Sequence, residues 1–142
     1  MSRAQVTVPL DIPDVRVLHT EMNKRGELII TIESTKTGIS CRRCGGWIDK
    51  SHGQDDWVTV RHLAVFGRPT YLRYRPKRYQ CQTCESYPTT TERLDRHGSN
   101  GPHTFALDNH LLLQLVGSTI EDVRIKERVG YDAVLGTLER RI

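Results

Sequence analysis

Alternation is the first pattern along the chain. "VRVLHTEM" and "ELIITIES" flank "NKRG", and Leu28, Ile30 and Ile32 occupy every second position of the second segment. A period of two puts successive side chains on opposite faces of a strand. Gly26 suits a turn that needs positive φ. Residues 1–35 therefore read as a β-hairpin segment that packs beside the next part of the chain. Further on, "WVTVRHLAVFGRPTYLRYRPKRYQC" is rich in β-branched and aromatic residues and is interrupted at Gly67 and Pro69. That composition predicts short antiparallel strands. Trp47, Trp57 and Phe66 are expected in the core, because a small domain needs its large apolar side chains inside.

The period changes after "RLDRHGSNGPH", whose Gly98, Ser99, Asn100, Gly101 and Pro102 mark a linker over residues 93–103. "TFALDNHLLLQLV" offers Thr104 as an N-cap and Phe105, Leu111, Leu112, Leu115 and Val116 as apolar positions. "STIEDVRIKERVG" carries capping chemistry in Thr119 with Asp122, or Ser118 with Glu121. Ile120 and Val123 point inward there, and Val129 closes the helix before Gly130. "YDAVLGTLERRI" gives a third helix with Val134, Leu135 and Leu138 as its core face. Three short helices over residues 104–142, the last two joined by a tight glycine turn, read as a helix-turn-helix. An ordinary helical bundle fragment is the alternative. Gly136 inside the third helix costs about 1 kcal/mol, and Asp132 and Glu139 place acid on a helix that would meet phosphates.

Composition narrows the class. The chain has 142 residues, 37% of them hydrophobic, which allows one ordinary domain or two small ones. Its mean hydropathy is −0.52. The N-terminus has no apolar run of signal-peptide length, and "LIITI" and "LLLQLV" are too short to span a bilayer. A reducing, cytoplasmic compartment is the expectation. Cysteine pairs there are more often metal ligands or redox centres than disulfides.

The cysteines number four, as Cys41/Cys44 and Cys81/Cys84. Two residues between ligands let a tight turn aim both thiolates at one ion, and two such knuckles complete a tetrahedral zinc site. The glycines of "CRRCGG" supply the backbone freedom a knuckle needs. One structural Zn²⁺ is expected, with a ribbon over residues 36–92. A thioredoxin-like centre would need a βαβ pattern, and no helix-like sequence follows either pair. "HTE" at His19 to Glu21 matches half of a deaminase signature. Ser40 and Gln80 stand where that signature wants proline, and four thiolates leave no position for a catalytic water. His52 and His62 read as surface or turn histidines.

Charge then adds a candidate surface. The net charge is +4, yet Trp57 to Cys84 contains no acidic residue and carries Arg61, Arg68, Arg73, Arg75, Lys77 and Arg78. In an extended strand Arg73, Arg75 and Lys77 share a face with Tyr71 and Tyr79. A solvated charged face is the bland reading. Arginine with interleaved tyrosine also suits phosphate contact and base stacking.

Taken together, "LDIPDVRVLHTE", "CRRCGGWIDKSHG", "RHLAVFGRPTYLRYRPKRYQCQTC", "PTTTERLD", "LLLQLVGSTIEDV" and "VGYDAVLGTLERRI" resemble the N-terminal part of bacterial insertion-sequence transposases of the ISL-three family. The resemblance implies a zinc ribbon followed by a helix-turn-helix, recognising the element's terminal inverted repeats. It carries the zinc ligands to Cys41, Cys44, Cys81 and Cys84. Family members continue into a catalytic domain with three carboxylates, none of which can be carried over. The expectation is an α+β, non-catalytic protein that binds double-stranded DNA at transposon ends, in the bacterial cytoplasm and on the nucleoid. It would act as a truncated or domesticated regulator or as a targeting subunit. A full-length transposase, other transposition proteins and a second copy are the expected protein partners. On the third helix of such a reader, Tyr131, Asp132 and Thr137 would face base edges, Asp132 accepting from a cytosine amino group, and Arg140 and Arg141 would meet phosphates. A zinc-ribbon adaptor between proteins is the alternative.

Overall fold

The computed structural model describes residue 10 and residues 12–93 and 103–141, the side chain of Arg141 excepted. The expected linker therefore lies almost wholly outside the described residues. Among the described residues nine strands and three helices occur in order: β1 Val15–Met22, β2 Leu28–Ser34, β3 Ile39–Ser40, β4 Trp47–Ile48, β5 Ser51–Gln54, β6 Val58–Val65, β7 Arg68–Tyr74, β8 Lys77–Gln80, β9 Thr89–Thr91, α1 Phe105–Leu115, α2 Ile120–Glu127 and α3 Tyr131–Arg141.

β1 and β2 pair antiparallel across the turn at Asn23. The Asn23 carboxamide oxygen accepts from the amides of Arg25 and Glu27, both at 3.0 Å, and Gly26 takes φ 75°. The hairpin is not a neighbour of the ribbon strands; it shares their sheet. β2 pairs in parallel with β7, and the four-stranded order is β1-β2-β7-β6. A boundary at residue 35 cuts through this sheet. The reason lies in the apolar stripes. Ile30 and Ile32 of β2 cover little by themselves, whereas with Val60, Leu72 and Tyr74 they close a core. Each also keeps its alternate residues outside.

Two small sheets hold the cysteines. β3 pairs with β4, and β5-β8-β9 form a three-stranded unit. Ile48 and Tyr79 are buried with Cys41 and Cys81 between them. The Tyr79 hydroxyl donates to the Lys36 carbonyl at 3.3 Å, so this tyrosine is core and not a stacking platform. Trp47, Trp57 and Phe66 correct the opposite expectation. They are 65%, 48% and 81% exposed. Aliphatic side chains, Tyr74, Tyr79 and the cysteines already fill the cores, and these aromatics fall at turns and strand ends.

The helices cap as their sequences suggest. The Thr104 hydroxyl accepts from the Leu107 amide at 3.3 Å, and Thr119 accepts from Asp122 at 3.1 Å. The α2–α3 turn departs in one detail. Its left-handed residue is Arg128, at φ 53°, and not Gly130. Leu107, Leu111, Val123, Val129 and Val134 form the helical core, and Leu63 of β6 packs against it.

Three contacts at β6 fix the helices to the sheet. The Thr104 amide donates to the Arg61 carbonyl at 2.9 Å. His62, expected at the surface, is only 4% exposed. Its Nε2 donates to the Leu10 carbonyl at 3.1 Å, which leaves Nδ1 to accept from the Thr104 hydroxyl at 2.8 Å. The Arg61 guanidinium donates to the carbonyls of Glu127 and Arg128, at 3.1 and 3.0 Å. No helix among the described residues is long and apolar enough to cross a membrane.

Candidate metal centre and nucleic-acid interface

Each cysteine pair lies on a tight turn whose backbone closes on itself. In the first, the Cys41 amide donates to Gly46 at 2.8 Å and the Gly45 amide to Cys41 at 2.9 Å, with Gly45 at φ 72°. The Arg43 amide donates to the Cys41 sulfur at 3.4 Å. In the second, the Cys81 amide donates to Pro88 at 3.0 Å, and the Tyr87 amide to Cys84 at 3.3 Å. The turns face each other. Cys41 and Cys84 sulfurs are 3.9 Å apart, Cys44 and Cys81 sulfurs 3.8 Å, and all four lie within 4.8 Å. Tetrahedral zinc with sulfur at about 2.3 Å requires neighbouring sulfurs about 3.8 Å apart. The cluster therefore fits a closed four-thiolate site.

The thiols divide in their protonation. The hydroxyl of Thr83, then the amides of Thr83 and Cys84, hold Cys81 down at about 6. Backbone amides of Cys44 and Arg43 lower Cys41. Cys84 is pushed up to about 12, chiefly by its hydrogen bond with Cys81, then by burial and by Cys44 and Cys41. Close-packed thiols resist ionising together, and a zinc ion bound by them would stabilise them as thiolates.

The family model for the zinc-finger of transposase IS204/IS1001/IS1096/IS1165 matches residues 37–84, a span that includes all four cysteines. Residues 37–84 are thus similar to the zinc ribbon of that transposase family. No curated protein and no solved structure matches the chain. Spacing, sulfur geometry and the family match agree on one structural zinc held by Cys41, Cys44, Cys81 and Cys84. His19 and Glu21, the half-match to a deaminase, lie on exposed β1 with 3.8 Å between them, away from the ribbon's ligands.

The ribbon's basic residues are not one free stripe. Arg73 stacks over the Trp57 ring at 4.1 Å, and Arg75 lies 6.0 Å from the same ring. Both keep charge at the surface, though the Arg75 Nε donates to the Asp55 carbonyl at 3.0 Å. Arg68 is exposed and donates to the Gly26 carbonyl at 3.2 Å. Lys77 reaches the Ser34 carbonyl at 3.0 Å from a different strand, because Arg75 and Pro76 separate β7 from β8. Arg78 donates to the Thr89 hydroxyl at 3.3 Å and lies 4.0 Å from Asp55. Arg61 is committed to the α2 carbonyls and stacks on Tyr71 at 5.5 Å; its Nε is buried with no partner among the described residues. A cleft of about 390 Å³ lies between Thr59 and Tyr71 of the sheet and Arg128 and Gly130 of the α2–α3 turn.

On α3 the expected contact residues also separate. Tyr131 and Asp132 are exposed at its start. Thr137 is fully buried, with its hydroxyl 3.0 Å from both Asp108 Oδ1 and the Ala133 carbonyl, so it cannot face a groove. Arg140 is exposed, but its guanidinium donates to Asp108 Oδ1 at 3.1 Å and is tied to that carboxylate. Arg141 is the last residue of α3, and its side chain lies outside the described set. Asp108, 1% exposed, is a centre that sequence reasoning missed. It also receives His103 Nδ1 at 3.3 Å. Burial raises its carboxyl, but hydrogen bonds from His103 and Thr137 and the charge and hydrogen bond of Arg140 outweigh burial, leaving it below the ordinary carboxylate value. The signal was a carboxylate beside Leu107 on the apolar side of α1.

Proposed function

We propose that the chain is a DNA-binding protein of transposition that recognises transposon ends and performs no chemistry in the residues described. The match of residues 37–84 to a transposase zinc-finger, on four sulfurs spaced for one tetrahedral ion, carries this reading. Four thiolates fill the metal's shell, which suits a structural ion and not a hydrolytic one. The binding surface would run from Arg75 and Arg73 on Trp57, past Thr59, to Arg128 and the exposed start of α3. Phosphate contacts from the ribbon position the protein, and Tyr131 and Asp132 read base edges as the start of a helix-turn-helix recognition helix. Lys77, Arg78, Arg61, Thr137 and Arg140 support this surface and do not form it. Action at transposon ends places the protein on the bacterial nucleoid, where it occupies or targets ends alone, as a dimer, or with a full-length transposase.

The test is competition between duplexes from the repeats flanking the coding sequence and scrambled duplexes, with zinc-loaded protein. Arg73→Ala with Arg75→Ala should flatten the slope of log K against log salt by about two units and weaken all sequences alike. Tyr131→Ala should reduce discrimination instead. Absence of duplex affinity at low salt would overturn the reading and favour a protein adaptor.

A further inference from the structure

The β6–β7 connection is two residues long. The register closes at Val65 opposite Arg68, and Phe66 and Gly67 take φ 49° and 74°. Two consecutive left-handed residues are the signature of a type I′ turn, which favours Asn-Gly. A bulky side chain in the first position is disfavoured by the backbone. Phe66 is also 81% exposed, so its ring gains little from burial in return. Strain held at the surface, with little packing among the described residues, marks a candidate functional position.

The surroundings identify the partner. β2 and β7 run parallel with Leu28 beside Thr70, so the β1–β2 turn lies at the same end of the sheet as Phe66. Arg68 bridges the two turns through its bond to the Gly26 carbonyl. Lys24, Arg25 and Arg68 are exposed there. The carboxylate of Glu27 is occupied by the Asn23 carboxamide at 2.8 Å and the Tyr71 hydroxyl at 3.3 Å. An apolar ring on a narrow tip with cations around it is the arrangement of a minor-groove wedge.

We infer that Phe66 inserts at a base step of duplex DNA from the minor groove, with Lys24, Arg25 and Arg68 on the flanking phosphates. This inference rests on the DNA-binding function proposed for the chain and adds a distortion of the duplex to it.

The full zinc-loaded chain is titrated onto duplexes carrying 2-aminopurine at successive positions and a dye pair at their ends. Wild-type protein should brighten 2-aminopurine at one step and shorten the end-to-end distance. Phe66→Asn creates the favoured Asn-Gly turn, so the fold is kept while the ring is lost. It should abolish both signals and bind about tenfold more weakly, with the salt slope unchanged because no phosphate contact is removed. Phe66→Trp should retain the distortion. Binding by wild type without distortion, or equal distortion by Phe66→Asn, overturns the wedge and leaves DNA binding standing. No duplex binding by wild type overturns both. A change in sedimentation of Phe66→Asn with DNA behaviour intact overturns the wedge and assigns the ring to contact between copies.

Discussion

Arg61→Met distinguishes a strut from a phosphate contact. The sequence groups Arg61 with the other basic residues of the ribbon, whereas the fold commits its guanidinium to the carbonyls of Glu127 and Arg128. A hydrogen bond from a charged donor contributes about 1.5–3 kcal/mol. One of these two is exposed and the other half-buried, so the pair belongs near the low end of its range. Stacking on Tyr71 adds about 0.5–1 kcal/mol. Methionine keeps part of the apolar stem but loses both bonds and the cation stacking, for a loss of about 3.5–4 kcal/mol in sum. For a chain of this size each kcal/mol lowers the melting temperature by roughly 3 °C, so a drop of about 10 °C is expected. Helical circular dichroism of zinc-saturated protein reads the melt. Duplex titrations well below the transition read the salt slope, which should stay at the wild-type value. An unchanged melting temperature together with a slope lower by about 0.9 would show that Arg61 meets a phosphate, and the strut would be disproved.

Two further outcomes test the interior. Cys81→Ser should remove zinc, read by elemental analysis, and unfold the ribbon, because ligand binding and folding are coupled; a zinc-free protein of unchanged stability would contradict this. Asp108→Asn should cost about 1–3 kcal/mol at pH 7. The wild-type carboxyl is held below its ordinary value of about 3.9. Its stabilisation is therefore present above that value and is lost as pH falls through the folded value. Denaturation curves of the two proteins should converge as pH falls below the ordinary carboxylate range, and a gap independent of pH would refute the assignment.

The features readable from sequence are those set within a few residues. The C-x-x-C spacing, the Asn23–Gly26 turn, and Thr104 and Thr119 as caps all act over one to four positions, and all hold. Pairing of β2 with β7 does not act locally. Leu28 meets Thr70 because two incomplete apolar stripes complete each other, and nothing in either segment names its partner. Alternation also leaves open how a charged residue is used. Arg61 and Arg73 share the outer face of the same sheet, yet one braces a helix and the other covers a tryptophan. Residue type misled at Thr137 and His62, polar side chains that are buried because each finds a hydrogen-bonding partner inside. It misled in the other direction at Phe66, where apolar character suggested burial.

The shared sheet bears on how far the ribbon can travel between proteins. The matched segment, 37–84, includes β6 and β7 but leaves out β2, which covers β7. Excised at those limits, β7 would present an unpaired edge, and Leu72 and Tyr74 would lose Ile30 and Ile32. Such an edge recruits other chains and aggregates. The portable unit is therefore larger than the recognisable one. A graft meant to stay soluble has to bring the hairpin with it, and a recombination joint placed just before residue 37 would separate a motif that looks complete from the strand it needs.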